Sequence, residues 1–240
     1  MRSILVWSIL LVFVATAFGA EEETLTDLGD EVKELLKKGQ AELQKANRTR
    51  SLNPIRSALG FYSRAIGKAR MYEKRLVSGE AEVVDFLIGP KRSLEQAYFG
   101  KASALYMAAG IKAMKGLDSV PNFKGAIAAL NSALEVNEKS NPSRVMLGTT
   151  RFQYANFLKM QGKPEAQTHF AQAEADFDKA IELHPKKWQG YAWKAQSLAM
   201  GRKLNEAVAM TKKALAINPN LASAGLGPAM SLLIQEAKRR

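Results

Sequence analysis

Cysteine is absent from this 240-residue chain, and that one absence removes disulfides, thiolate metal sites, cysteine nucleophiles and a lipidated cysteine from the possible chemistry. Histidine is nearly absent too. The only two, His169 and His184, are accompanied by no set of carboxylates and cysteines that would complete a metal site or a hydrolytic triad. No glycine-rich phosphate loop occurs. Gly225-x-Gly227-Pro228 is too short and too proline-blocked to cradle a dinucleotide, so it reads as a helix breaker. These gaps leave no catalytic residue, metal or cofactor to name, and they point away from an enzyme.

One long apolar run exists, and it stands at the N-terminus. Met1-Arg2-Ser3 carries a positive charge, Ile4 to Val14 is apolar except for Ser8, and Ala15-Thr16-Ala17-Phe18-Gly19 offers small residues at processing positions. These are the parts of a secretory signal peptide, with the cut expected after Ala17 or Gly19. The stretch from Ile4 to Ala20 falls slightly short of the roughly 20 residues that cross a bilayer. Residues 1–20 are therefore expected to be a cleaved leader, with an N-terminal membrane anchor as the alternative. The remainder is expected outside the cytoplasm, periplasmic or secreted. It divides into a helical domain over 21–219 and a C-terminal capping helix with a basic tail over 220–240.

The formal charge of +12 is unevenly placed. Residues 21–47 carry eight acids against four lysines, 48–75 carry eight bases against Glu73 alone, 76–185 balance at twelve each, and 186–240 carry ten bases against two acids. Basic ends suit an acidic protein, an anionic membrane surface or a wall polymer, while export argues against nucleic acid. A simpler role for the same charges is to solvate the outer faces of helices. The cluster Glu174, Asp176 and Asp178 is likewise expected to be a solvated face, because its members point around a helix in different directions. Asn47-Arg48-Thr49 fits a glycosylation acceptor in a eukaryotic secretory pathway.

Helical periodicity dominates the rest. Leu25, Leu28, Val32, Leu35 and Leu36 predict a helix over about 26–46; Ala58, Phe61, Tyr62, Ala65 and Ile66 predict a second from Pro54 to about Arg75. Residues 76–92 break the pattern around Val83 to Ile88, which reads as a loop packed under the helices. Further helices are expected over about 90–115, 123–136, from Pro142 or Ser143 to the Gln161-Gly162-Lys163-Pro164 turn, on to Leu183, and over 188–200, 205–217 and 228–238. One phrase recurs in the second helix of each pair, with alanine, a larger residue four on, and alanine three beyond. It stands at Ala58, Tyr62 and Ala65; at Ala126, Leu130 and Ala133; at Ala166, Phe170 and Ala173; and at Ala207, Thr211 and Ala214. Small and large residues on one face let a second helix approach closely. In the third pair the stripe runs on through Phe177 and Ala180, so that return helix is expected to be longer than the others.

These residues resemble the tetratricopeptide repeat family. The match is best at Tyr154-Ala155, Leu158, Gly162, Glu165-Ala166, Phe170 and Ala173, then at Tyr191, Ala195, Leu198, Glu206-Ala207, Ala214 and Pro219. The alanines at 126, 166 and 207 lie 40 and 41 apart, beyond the family's 34-residue period. The resemblance implies an all-α solenoid of about four hairpins, a right-handed superhelix with a C-terminal cap, whose first helices line a concave groove. Carried over, the groove positions are Thr149, Phe152, Asn156 and Lys159, then Gln189, Ala192, Trp193 and Gln196. Asn156 would grip a peptide backbone and Trp193 would offer flat apolar area. The function expected is a noncatalytic scaffold that holds a segment of another protein within a cell-envelope assembly. The alternative is a solute- or polymer-binding accessory that uses a basic surface or pocket.

Overall fold

The chain's computed structural model describes residues 25–77, 88–221 and 228–239. The leader at 1–20, all of the Val83 to Ile88 run but its last residue, and Gly225 and Gly227 lie outside the described residues. Nine α-helices and no strand make up the described part. They are α1 (Leu25–Thr49), α2 (Leu52–Val77), α3 (Ile88–Met114), α4 (Val120–Val136), α5 (Asn141–Met160), α6 (Ala166–Leu183), α7 (Trp188–Met200), α8 (Leu204–Ile217) and α9 (Pro228–Arg239). Among the described residues no helix is long and apolar enough to cross a membrane.

Local chemistry explains most of the boundaries. Helices α2 and α4 begin just before Pro54 and Pro121, because proline is tolerated in a first turn whose N–H groups have no intrahelical partner. Ser140 caps α5, its hydroxyl accepting a 3.3 Å hydrogen bond from the Ser143 N–H. Helix α3 ends in a left-handed Gly116 (φ 68°), where the Leu117 N–H donates back to Lys112 O at 2.8 Å. Gly162 (φ 69°) ends α5 in the same way, with the Lys163 N–H on Leu158 O at 3.0 Å. The return helix α6 is 18 residues long, longer than α4 and α8 but shorter than the 26-residue α2, so the longest helices stand at the start of the chain and not in the third hairpin.

Short turns make α1–α2, α3–α4, α5–α6 and α7–α8 antiparallel hairpins, and these four pairs stack in chain order. Odd helices also touch one another in succession: α1 with α3, α3 with α5, α5 with α7, and α7 with α9. At two places the spacing is set by an aromatic ring seated on glycine. Tyr62 of α2 lies between Gly39 of α1 and Gly100 of α3, where an added Cβ would come within 2.7 and 2.2 Å of the ring. Burial there pushes the Tyr62 hydroxyl up to about 12. Phe177 of α6, fully buried, lies against Gly148 of α5 in the same manner, 2.5 Å from where a Cβ would stand.

Replacing Gly100 by alanine is expected to destabilise the fold by about 1–3 kcal/mol through overpacking against Tyr62. Gly60→Ala, on an α2 face with nothing within 4 Å, should instead stabilise by about 0.5–1 kcal/mol through helix propensity. Urea unfolding of both variants checks the pair, and equal shifts would contradict the ring-on-glycine account.

Candidate protein-binding groove

The odd helices lie side by side, and three cavities follow one another along the face they form. The first, about 570 Å³, lies between α1 and α3 and reaches Pro142; the central one, about 910 Å³, between the end of α1, α3 and α5; the third, about 690 Å³, between α5, α7 and α9. Ser103 lines both the first and the central cavity, and Asn156 both the central and the third. They form one continuous groove.

Its chemistry is apolar with amides, and charged side chains line it at Arg92 and Glu95 in the first cavity, Arg50 in the central one, and Glu236 and Arg239 in the third. Met107, Met114, Met146 and Met160 line the central cavity together with Tyr106, Ile111 and Phe157. Methionine's flexible, polarisable thioether adapts to varied apolar shapes, which suits a recognition surface. Met114 and Met160 are 67% and 89% exposed, and Met200, Leu204 and Leu232 are the exposed apolar residues of the third cavity. Burial pushes the Tyr106 hydroxyl above its ordinary value. Gln40 and Gln96 line the first cavity, Gln153, Asn156 and Gln161 the central one, Gln196 and Gln235 the third. A side-chain amide both donates and accepts, which matches the peptide groups of a bound chain.

The residues named from the sequence fall on both sides of this boundary. Phe152, Asn156 and Gln196 line the third cavity, and Asn156 bridges to the central one. Lys159 lines a smaller depression of about 440 Å³ at the α6 and α7 ends, which meets the third cavity at Met200. Thr149 is buried, and its hydroxyl donates to Val145 O at 2.8 Å. Ala192 is fully buried in a core shared with α8 and α9, Trp193 packs against the Phe152–Phe177 cluster, and Gln189 is half-buried; none of these three lines the groove cavities. The methionines of α3 and the leucines of α9 had no counterpart in the sequence reading. Their signal was available as large apolar residues at the ends of odd helices, Met114 of α3 and Met160 of α5, and as Leu232 beside Gln235 and Glu236 in α9.

The solvated face expected at Glu174, Asp176 and Asp178 needs correction at its middle residue. Asp176 is not solvated: it is buried between α5 and α6, where Arg151 donates to it at 2.6 Å and Arg144 stands at 3.8 Å. Burial pushes its carboxyl above the ordinary carboxylate range, and the two guanidiniums pull it down. Asp178 remains exposed and pairs with Lys194, while Glu174 accepts from Ser197 at 3.2 Å. The reason is packing, since α6 is covered by α5 on one side and α7 on another. These polar contacts fix α5 and α7, which form the walls of the groove.

The same helix resolves the irregular period. Of the two overlapping copies of the alanine phrase in α6, the deeper is Ala173, Phe177 and Ala180, followed by Pro185; Ala207, Thr211, Ala214 and Pro219 repeat it 34 residues on. The array is tetratricopeptide-like. No family model and no curated protein matches this chain. Among solved structures it is similar to TTC0263, a thermophilic tetratricopeptide protein of Thermus thermophilus, at 17% identity over 84% of this chain and 100% of that one, with a TM-score of 0.45. It is also similar to YrrB, a tetratricopeptide protein with an unusual peptide-binding site, at 18% identity over 90% and 100%, with a TM-score of 0.38. A third is the TPR2AB domain of yeast Sti1 in complex with pHSP90, at 15% identity over 90% and 86%, with a TM-score of 0.37. At such scores the groove stands on this chain's own residues.

An environment-sensitive apolar dye should bind this groove in the isolated protein. Met114→Glu with Met160→Glu is expected to remove most of that fluorescence while changing stability by no more than about 0.5 kcal/mol per exposed site. Undiminished dye binding would place the accessible apolar surface elsewhere.

Proposed function

We propose that this chain is a noncatalytic scaffold that holds a segment of another protein along the odd-helix groove. The observation that carries the reading is the concentration of exposed large apolar side chains: Met114, Met160, Met200, Leu204 and Leu232 all line two adjoining cavities, whereas Met71 and Leu117 line neither. Contiguous exposed apolar surface marks a binding site more often than an idle one. The amides of Gln153 and Asn156 between those cavities favour a peptide, whose backbone groups they can satisfy as its side chains enter the apolar recesses.

The leader expected over residues 1–20 and the charge of +12 extend the proposal to a scaffold in a cell-envelope assembly with an acidic partner. Basic surfaces raise the rate of encounter, and the groove supplies the lasting contact.

The full chain, immobilised and exposed to a membrane-plus-soluble extract, is expected to retain one stoichiometric protein through a high-salt wash. The Met114→Glu, Met160→Glu, Asn156→Ala variant should lose at least about tenfold of it, the scale on which interface anchors act. Retention unchanged in that variant, or recovery of anionic lipid or polymer alone at low salt, would contradict the reading.

A further inference from the structure

We infer, resting on the groove reading above, that the central cavity takes a large apolar side chain of the partner segment with an acidic residue beside it, and that Arg50 is the counter-charge. Each hairpin turn places a residue just after its odd helix in the left-handed region: Arg50 (φ 51°), Gly116 (68°), Gly162 (69°) and Arg202 (62°). Glycine adopts that conformation freely, whereas a side chain is strained there. Two turns thus carry an arginine where glycine would fit more easily.

The two arginines differ in what they meet. Arg50 lines the central cavity, and Arg202 lines none of the groove cavities. Among the described residues Arg50 is the one charged side chain on the central cavity's lining, and its guanidinium has no hydrogen-bond or ion-pair partner there. Beside it stand Met107, Met114 and Phe157. A lone cation at the edge of an apolar recess favours a ligand that couples apolar bulk to a negative charge, and disfavours a basic one. A peptide is favoured over a single-chain lipid because an alkyl chain would leave the amides of Gln153 and Asn156 unpaired.

Selection of random twelve-residue peptides on the full chain, followed by titration of the enriched ones, tests this. Enriched peptides should pair leucine, methionine or phenylalanine with aspartate or glutamate within two residues. Arg50→Gly should weaken them roughly fivefold, the scale of an exposed ion pair, while raising Tm by roughly 2–4 °C through relief of the left-handed strain. Arg202→Gly should raise Tm alike and leave affinity unchanged. Arg50→Glu should shift the enrichment toward lysine and arginine.

Peptides without acidic residues, or an unchanged affinity in Arg50→Gly, would overturn the inference. If such peptides still fail to bind Met114→Glu, Met160→Glu, the groove reading survives and only the acidic pairing falls. Peptides indifferent to that double variant would overturn the groove reading itself. Saturable palmitate binding that is lost in Arg50→Gly, with no peptide enriched, would assign the cavity to a lipid and overturn the occupant argued here.

Discussion

Everything in this molecule depends on rings resting directly on helix backbone. Tyr62 between Gly39 and Gly100, and Phe177 on Gly148, let an even helix sit closer to its odd neighbours than any Cβ would permit. Tyr62 thereby fixes the spacing of α1 and α3, and Phe177 fixes α6 closely on α5. That spacing makes a row of odd helices contiguous, and a contiguous row leaves a groove along its face. Without the glycines the hairpins would still form from their amphipathic stripes. They would stand further apart, and the cavities would change shape with them.

The groove is built from two kinds of support. Apolar packing seats the hairpins, and polar contacts hold individual walls: Arg144 and Arg151 on Asp176 fix α5 against α6, Ser197 on Glu174 ties α7 to α6, and His184 bonds Lys139 O at 2.6 Å between neighbouring loops. Removing one partner from the buried Asp176 group would strand charge in a dry place, which is far more damaging than the net worth of the group. Helix α9 has two tasks. Its Met230, Leu233, Ile234 and Ala237 close the core over α7 and α8, and its Leu232, Gln235 and Arg239 extend the groove.

The helices were legible because their stripes repeat every three to four residues over many turns. Boundaries moved where proline sat inside a first turn, at Pro54 and Pro121, because a proline marks a helix start without fixing which residue precedes it. Register in the third hairpin was ambiguous for a physical reason: Ala166-Phe170-Ala173 and Ala173-Phe177-Ala180 have the same form, and only burial separates half-exposed Phe170 from fully buried Phe177. The candidate site was legible in part. Phe152, Asn156 and Gln196 line the groove, but Ala192 is covered in the core that α9 completes, a contact that no local pattern announces. Asp176 was misread because its partners Arg144 and Arg151 belong to a different helix, and pairing across helices is not written in local spacing.

The central claim is that the partner lies on the odd-helix face. Photo-reactive benzoylphenylalanine placed at Met160, on the groove, and separately at Ser63, exposed on the outer helix α2, measures this directly. The account predicts one strong crosslinked protein from position 160 and none from position 63. A crosslink from position 63 alone would put the partner on the outer face and contradict it.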